Sequence, residues 1–201
     1  MLTWKEALQQ ARYRNLLIYI IVFAILFFAF IPSYFQFIES KQGRLLNDPL
    51  LNLLPAFDLS IPIFFLIYSI VLSTAIVNIR KPHTILMIMG TYCSVNFLRL
   101  ISMFMFTLEP PTGWVMLHDP IVSLIAYEPA FAKDLFFSGH IATLMVTLLP
   151  EPNRVFKRIK IAVTIIVGVL LLIQHIHYTI DVIAAPVFTY LSYKVMQRLM
   201  T

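Results

Sequence analysis

Charged side chains are scarce in this sequence. Only 12% of its 201 residues are Asp, Glu, Lys or Arg, whereas 60% are hydrophobic, and the mean hydropathy is +0.84. A soluble globule of this length needs more polar side chains to cover its surface. The composition therefore excludes an ordinary soluble protein and predicts one that is embedded in a membrane.

Cysteine, linkers and repeats are also lacking. Cys93 is the only cysteine, so the chain cannot hold an internal disulfide framework, and the apolar neighbours of this thiol indicate a packing role. No linker-like stretch, low-complexity run or evident internal repeat interrupts the sequence. These absences predict a single membrane-embedded domain over residues 1–201.

Six apolar segments predict an all-α, polytopic bundle of six transmembrane helices. A helix needs about 20 residues, at roughly 1.5 Å each, to cross a hydrocarbon core of ~30 Å. The fourth and fifth segments are short, which suits helices that tilt or end at a cavity, and no Gly or Pro marks the boundary between the fifth and sixth. The predicted spans are residues 16–38, 59–79, 84–108, 138–149, 159–173 and 177–197.

The distribution of basic residues predicts the orientation, because cytoplasmic segments of membrane proteins are rich in Lys and Arg. With the N-terminus inside, the outer segments hold only Lys41, Arg44 and Lys133 of the 15 Lys and Arg residues. We therefore expect both termini in the cytoplasm. The long loop from Glu109 to Phe137, the start of the fourth span and the turn before the sixth then share the outer face.

Three polar clusters lie at or near the outer ends of spans: Arg99, residues 134–140 and residues 175–181. A charge at the bilayer centre costs roughly 2.5–3.5 kcal/mol, so ionisable groups there usually have partners and a function. If the last cluster is helical, His177 and Asp181 stand at positions i and i+4 on one face. The carboxylate then fixes the tautomer of the ring and leaves its other nitrogen free to attack. His177 is therefore the predicted nucleophile, and Asp181 orients it.

His140 supplies the second requirement, a proton for the departing alkoxide. It stands at a helix start, where Ser138 can act as N-cap and free backbone N–H groups favour an anion. Gly139 lets the backbone approach a phosphate closely. Arg99 has the forked geometry that binds two phosphate oxygens at once.

Residues 134–140 read DLFFSGH, and residues 177–182 read HYTIDV. These segments resemble the two catalytic motifs of the sphingomyelin synthase family, a branch of the type 2 phosphatidic acid phosphatase superfamily. The resemblance implies a six-helix fold and a phosphohistidine intermediate at His177. It further implies that His140 acts as acid and base and that Asp181 is the partner of His177. It also implies transfer of a phospho-head-group from a phospholipid to another lipid hydroxyl.

The chain departs from that family's pattern in three places. Ala132-Lys133 replaces Cys-Gly before the first motif, the Lys-x6-Arg-Pro signature of the related phosphatases is missing, and no His follows Tyr190 and Tyr193. The resemblance therefore implies the catalytic class and leaves the head group open. Lys133 is expected to contact a head group or a phosphate. Asp134 and Tyr178, which lie within the two motifs, complete the candidate substrate-binding residues.

Each candidate also has a structural interpretation. The two histidines and the carboxylate can simply hydrogen-bond between helices or form a metal triad, but Ser138 and Gly139 suit a phosphate cradle better than a metal site. Arg99 can form an ion pair with Asp134 or Asp58 instead of binding phosphate. The remaining candidates are expected away from the chemistry: His175 at the rim, His118 and Asp119 on the surface of the outer loop, and His83 on the cytoplasmic side.

The motifs predict a lipid phosphotransferase, with a phosphatase or phospholipase C-type hydrolase as the alternative. A non-enzymatic lipid transporter is less favoured, because transporters of that kind usually show paired repeats and broken helices. The expected partners are a membrane phospholipid and a lipid alcohol, and a homo-oligomer stays open. No cofactor, metal or nucleic acid is expected, since the net charge of +5 is spread along the spans. The active site is expected at the periplasmic, extracytoplasmic or lumenal face.

Overall fold

The computed structural model describes residues 2–121 and 131–200, and part of the predicted outer loop, residues 122–130, lies outside them. The described residues form α-helices, one short 3-10 helix at Leu51–Leu53 and no β-strand, apart from an isolated bridge between Arg44 and Leu108. The predicted all-α fold class is therefore confirmed. The α-helices are α1 (Trp4–Gln9), α2 (Ala11–Ser40), α3 (Ser60–Asn78), α4 (Pro82–Met105), α5 (Gly139–Leu148), α6 (Arg154–Ile173) and α7 (Thr179–Met200).

Each predicted span coincides with one of the helices α2 to α7, and their ends differ by a few residues. Helices α2, α3 and α4 are long and apolar enough to cross a membrane, and α5 is an apolar helix of 10 residues. Helix α6 begins with basic residues, and α7 contains Pro186. The number of spans and the cytoplasmic position of both termini stay predictions.

Local signals in the sequence fix where several helices begin. Pro82 occupies the first turn of α4, where its missing N–H has no partner to lose. The Asn153 side chain accepts hydrogen bonds from the N–H groups of Val155 and Phe156, so it caps α6 ahead of the predicted start. Ser138 caps α5 in the same way.

The short helix α5 lies at the centre of the bundle, where it packs against α3, α4, α6 and α7. The main core cluster joins these helices through buried side chains such as Ile63, Val95, Ile141, Leu171 and Ala185. In a bilayer such packing stabilises through van der Waals contact, because lipid tails are as apolar as the side chains. The N-terminus of α5 is thereby held inside the protein, and we call this end of the bundle the site end.

A buried ion pair joins α5 and α6 at the opposite end. Lys160 is 1% exposed, and its ammonium lies 2.7 Å from the carboxylate of Glu151 and 2.9 Å from the carbonyl oxygen of Thr147. Burial opposes the charge on Glu151, but the hydrogen bond from Lys160 and the N–H of Asn153 outweigh it and lower the pKa of this carboxyl. This contact links the C-terminal end of α5 to α6.

Candidate active site

The N-terminus of α5 is attached directly to α7. The buried Ser138 hydroxyl accepts the N–H of Ile141, 3.5 Å away, as the sequence predicted for an N-cap. The N–H of Ser138 donates to the carbonyl oxygen of Asp181 at 3.1 Å. This backbone contact sets the position of His140, the second residue of α5, relative to the start of α7.

His177 and Asp181 are both buried, at 1% and 0% exposure, and His177 Nδ1 lies 3.5 Å from Asp181 Oδ2. The two residues are close, as their spacing predicted, but the reason differs from the predicted one. Helix α7 begins only at Thr179, so His177 lies in the preceding bend. Asp181 sits in the first turn, where Oδ2 accepts the N–H of Tyr178 at 2.9 Å.

The imidazole rings of His140 and His177 lie edge to face between the start of α5 and the start of α7. The ring centroids of His140 and His177 are 5.8 Å apart, with 64° between the planes. His140 Nδ1, both ring nitrogens of His177 and Asp181 Oδ1 are buried without a hydrogen-bond partner among the described residues. An unsatisfied buried polar atom costs about 1–3 kcal/mol. Four such atoms in one cluster therefore indicate a functional requirement.

Arg99 reaches this cluster from α4. Its guanidinium forms an ion pair with Asp134, and Nε donates to the carbonyl oxygen of Phe137 at 3.0 Å. A Cβ atom at Gly139 would lie 2.6 Å from the Arg99 Nη1 atom. The ion pair with Asp134, one of the two structural interpretations, is thus present, and Gly139 admits the guanidinium. Contact between Arg99 and a phosphate stays a prediction.

A cavity of about 610 Å³ adjoins the site. His140, Arg99, Asp134 and Gly139 line one end of it. Apolar residues of α2, α3, α4 and α5 line most of the rest. His177 and Asp181 lie behind His140 and are not among the described residues of the cavity wall.

Asp119 is the residue that the sequence analysis missed. It was expected on the surface, but it is half-buried and lines the cavity with His140. Its carboxylate accepts a hydrogen bond from the Tyr68 hydroxyl at 2.5 Å. No local pattern marks Asp119, because only the return of the outer loop over α3 brings it to the site.

Two predicted substrate-binding residues, Lys133 and Tyr178, form contacts that hold loops in place, and their contact with a substrate stays a prediction. The ammonium of Lys133 lies 2.9 Å from the carboxylate of Glu109 and donates to the carbonyl oxygen of Lys41 at 2.7 Å. The hydrogen bonds from Lys133 and from the N–H of Gly43 lower the pKa of Glu109. The hydroxyl of Tyr178 donates to the carbonyl oxygen of Glu109 at 2.9 Å. Neither Lys133 nor Tyr178 lines the cavity in the described part of the chain.

The other histidines lie outside the cluster. Both ring nitrogens of His175 face carbonyl oxygens, of Thr112 at 2.8 Å and of Leu54 at 3.1 Å, so this residue holds two loops together. His118 is exposed and donates its N–H to the Ser60 hydroxyl. His83 contacts the hydroxyl of Tyr13 at the end of the bundle opposite the site. Among the described residues, no group of three His, Cys, Asp or Glu side chains has the geometry of a metal site.

Residues 133–198 match the family model described as PAP2 superfamily C-terminal. No curated protein matches the chain significantly. The family match supports the type 2 phosphatidic acid phosphatase superfamily, whose members are generally phosphatases and phosphotransferases of lipids. It includes α5, α6 and most of α7, and with them His140, His177 and Asp181. Together with the apolar helices, it indicates an integral membrane protein.

Proposed function

We propose, with the similarity to the PAP2 superfamily as premise, that this chain is a lipid phosphotransferase of the sphingomyelin synthase type. It moves a phospho-head-group from a phospholipid to a lipid alcohol through a phosphohistidine at His177. The observation that carries this proposal is the buried cluster of His140, His177 and Asp181, which holds four unpartnered polar atoms and adjoins a cavity that His140 lines.

In the first step, His177 attacks the phosphorus of the phospholipid. Asp181 Oδ2 lies 3.5 Å from Nδ1, so the carboxylate favours the tautomer with its proton on Nδ1 and leaves the lone pair of Nε2 to form the P–N bond. The bond between phosphorus and the lipid oxygen breaks, and His140, whose ring the negative charge of the bound phosphate keeps protonated, gives its proton to the departing alkoxide. Diacylglycerol leaves, and the head group stays on His177.

In the second step, the hydroxyl of a lipid alcohol gives its proton to the now neutral His140. The alcohol oxygen attacks phosphorus, the P–N bond breaks and His177 is restored. Arg99 stabilises the negative charge on the phosphate oxygens throughout. Its guanidinium is already oriented by Asp134 and the Phe137 carbonyl oxygen, so little reorganisation accompanies the reaction.

A hydrolase with the same residues is the second candidate. It is favoured by the family match, since phosphatases are common in the PAP2 superfamily. In that case water takes the place of the lipid alcohol in the second step, and the first step is unchanged.

The test is to incubate the purified protein with labelled phospholipids, with and without ceramide or diacylglycerol, and to identify the products. A new phospholipid supports transfer, whereas free phosphoalcohol or inorganic phosphate supports hydrolysis. The absence of any product in both conditions would contradict both enzymatic functions and favour a lipid-binding protein.

Two variants test the proposed roles of His177 as nucleophile and His140 as acid. His177→Ala is expected to abolish turnover and any covalent phospho-adduct, while His83→Ala, at the opposite end of the bundle, retains both. His140→Ala is expected to lower turnover of ordinary phospholipids by about 10²–10⁴-fold, the usual contribution of a general acid. It should still form the adduct slowly from an analogue with a good leaving group. Equal activity of His177→Ala and His83→Ala would refute the assignment.

A further inference from the structure

The cavity extends far beyond the polar residues of the candidate active site. At one end are His140, Arg99 and Asp134, and from there it runs along the bundle between α2, α3, α4 and α5. The lining at the far end is mainly apolar: Ile20 and Ala24 on α2, Ile88 and Met89 on α4, and Val146 on α5. Thr147 adds a polar side chain there, whose hydroxyl donates to the carbonyl oxygen of Leu144. A small polar substrate would occupy only the polar end, and the apolar part of the cavity would then have no role.

The depth of the cavity matches one leaflet of a bilayer. On α4 the lining extends from Arg99 to Ile88, which is roughly 16 Å of helix at about 1.5 Å per residue. One leaflet of a hydrocarbon core of ~30 Å is about 15 Å thick. A lipid whose phosphate lies beside His140 therefore has space for a hydrocarbon chain along the whole apolar wall.

The cavity is open on the side between α2 and α3. Within the described residues, α2 packs mainly on α1, α4 and α7, whereas α3 packs mainly on α4, α5 and α6. Three lining residues are correspondingly exposed: Phe28 by 73%, Tyr92 by 45% and Met89 by 42%. The exposed surface is apolar and belongs to helices that are apolar enough to span a membrane.

From this geometry we infer that the cavity is a binding site for an acyl chain of the donor phospholipid, which reaches it from the bilayer through the opening between α2 and α3. The phosphate of the donor then lies at His140, and its tail lies against Ala24, Met89 and Val146. The inference rests on the proposed function for the position of the phosphate. The site makes long-chain lipids better substrates than tail-less phosphate esters of the same head group.

Ala24→Trp tests the inference, because an indole at this half-buried position would fill the space for the tail. Ala29→Trp is the matched control, since Ala29 lies on the same helix, is exposed and does not line the cavity. Met89→Trp narrows the cavity from α4 and serves as a second variant if Ala24→Trp fails to fold.

Binding is measured first, on the full chain carrying His177→Ala so that no lipid is consumed. A phospholipid with a photoreactive diazirine in its tail is incorporated with the protein into lipid nanodiscs, and the labelled residues are mapped by mass spectrometry. Labelling of Met89 and Val146 that falls about tenfold with Ala24→Trp and persists with Ala29→Trp supports the inference. Labelling confined to lipid-facing residues such as Ile25 and Ile165 would overturn it, whether or not the protein turns over lipid.

Turnover gives the second readout. The ratio of the rate for a long-chain phospholipid to that for a tail-less ester is expected to fall about tenfold in Ala24→Trp and to stay at the wild-type value in Ala29→Trp. An unchanged ratio in both Ala24→Trp and Met89→Trp would overturn the acyl-chain site while leaving the proposed function intact. Loss of all turnover in the wild type, with cavity labelling retained, would instead refute the proposed function alone.

Discussion

At the scale of single residues, the site depends on polar groups that the fold leaves unpaired. His177 has neither ring nitrogen in a hydrogen bond among the described residues, although it is almost completely buried. A protein selected for stability alone would pair or replace such a residue, because its desolvation is not compensated. The free-energy cost of burying His177 unpaired is explained if a phosphate group supplies the missing hydrogen bonds during the proposed reaction.

Gly139→Ala is expected to impair activity through Arg99. The added Cβ would lie 2.6 Å from the guanidinium, so the side chain must leave its position between Asp134 and the Phe137 carbonyl oxygen. Because the obstructing atom is the end of a flexible side chain, the fold should lose little stability. We expect kcat to fall about 10–100-fold with a nearly unchanged thermal unfolding midpoint.

The control for this prediction is a double-mutant cycle with Arg99→Lys. A lysine does not reproduce the fork of the guanidinium, so Gly139→Ala should cost much less activity in the Arg99→Lys background than in the wild type. Equal losses in the two backgrounds would show that Gly139 acts independently of Arg99.

Much of the cluster could be predicted from local sequence. Ser138 before an apolar helix indicates a cap, and the spacing of His177 and Asp181 predicted their proximity, although the bend before α7 and not a helical turn brings them together. Residues placed by long-range contacts could not be predicted. Asp119 reaches the cavity only because a loop folds back, and Tyr178 turns away from it to hold the backbone of two other loops.

At the scale of secondary-structure elements, the start of α7 depends on a loop from elsewhere. Asp48, in the segment between α2 and α3, accepts the N–H of Thr179 at 2.7 Å and its hydroxyl at 3.1 Å. This carboxylate caps α7 two residues after His177. Partial burial opposes its charge, but the hydrogen bonds from Thr179, Leu51 and Leu50 outweigh that effect and lower the pKa of Asp48.

Asp48→Asn is expected to loosen residues 46–54 and to remove a pH dependence. Since the folded pKa of Asp48 is depressed, its contribution to docking is complete above the ordinary carboxyl pKa and is lost as the pH falls through the folded value. The protection factors of amides 46–54, which correct for the intrinsic pH dependence of exchange, should therefore fall in the wild type only under acidic conditions. In Asp48→Asn these protection factors should already be lower at neutral pH and change less on acidification.

Glu6→Gln is the matched control, because Glu6 also has a lowered pKa, from its hydrogen bonds with Thr3, but lies on α1 at the other end of the bundle. It should not alter exchange in residues 46–54. If the protection factors in Asp48→Asn depend on pH in the same way as in the wild type, a group other than Asp48 causes the pH dependence.

The buried pair of Lys160 and Glu151 gives a stability prediction for α5 and α6. Lys160→Met leaves the carboxylate of Glu151 buried without its cation, and breaking such a pair costs about 3–5 kcal/mol. The double variant Lys160→Met with Glu151→Leu should recover most of that loss, because apolar residues often replace a buried pair without cost. Denaturant unfolding in detergent measures both values.

Lys157→Met, at an exposed position on the same helix, should change the free energy of unfolding by less than about 0.5 kcal/mol. A double variant as unstable as Lys160→Met would show that the ammonium matters mainly for its hydrogen bond to Thr147.

The apolar runs of the sequence predict the positions of the helices more accurately than the residues at which the helices begin and end. Helix α6 begins at Arg154 because Asn153 caps it, and four basic residues interrupt the apolar pattern of its first two turns: Arg154, Lys157, Arg158 and Lys160. The boundary before α7 has no Gly or Pro. Tertiary contacts fix this boundary instead, because the Gln174 side chain donates to the hydroxyl of Ser60 and to the carbonyl oxygen of Met116. The next residue, His175, adopts a φ of 55°, which ends the helical path of the backbone.

At the scale of the whole molecule, the charge bias predicts that the site end faces away from the cytoplasm. Single cysteines at two exposed positions test this: Leu53→Cys near Asp48 and Lys157→Cys on the basic start of α6. Cys93 is buried and should react little. In sealed vesicles with the cytoplasmic face outward, an impermeant maleimide should label Lys157→Cys at once and Leu53→Cys only after permeabilisation. The reverse pattern would contradict the predicted orientation.

The shortness of α5 sets how deep the helix reaches below the site. Ten residues make a rod of about 15 Å, half the thickness of the oily layer, and His140 sits in its first turn. With the site end at the predicted outer face, the rod begins near the level of the head groups and stops near mid-depth. A single leaflet is then deep enough to bring a whole lipid alongside this helix, so a donor is expected to react without crossing the bilayer.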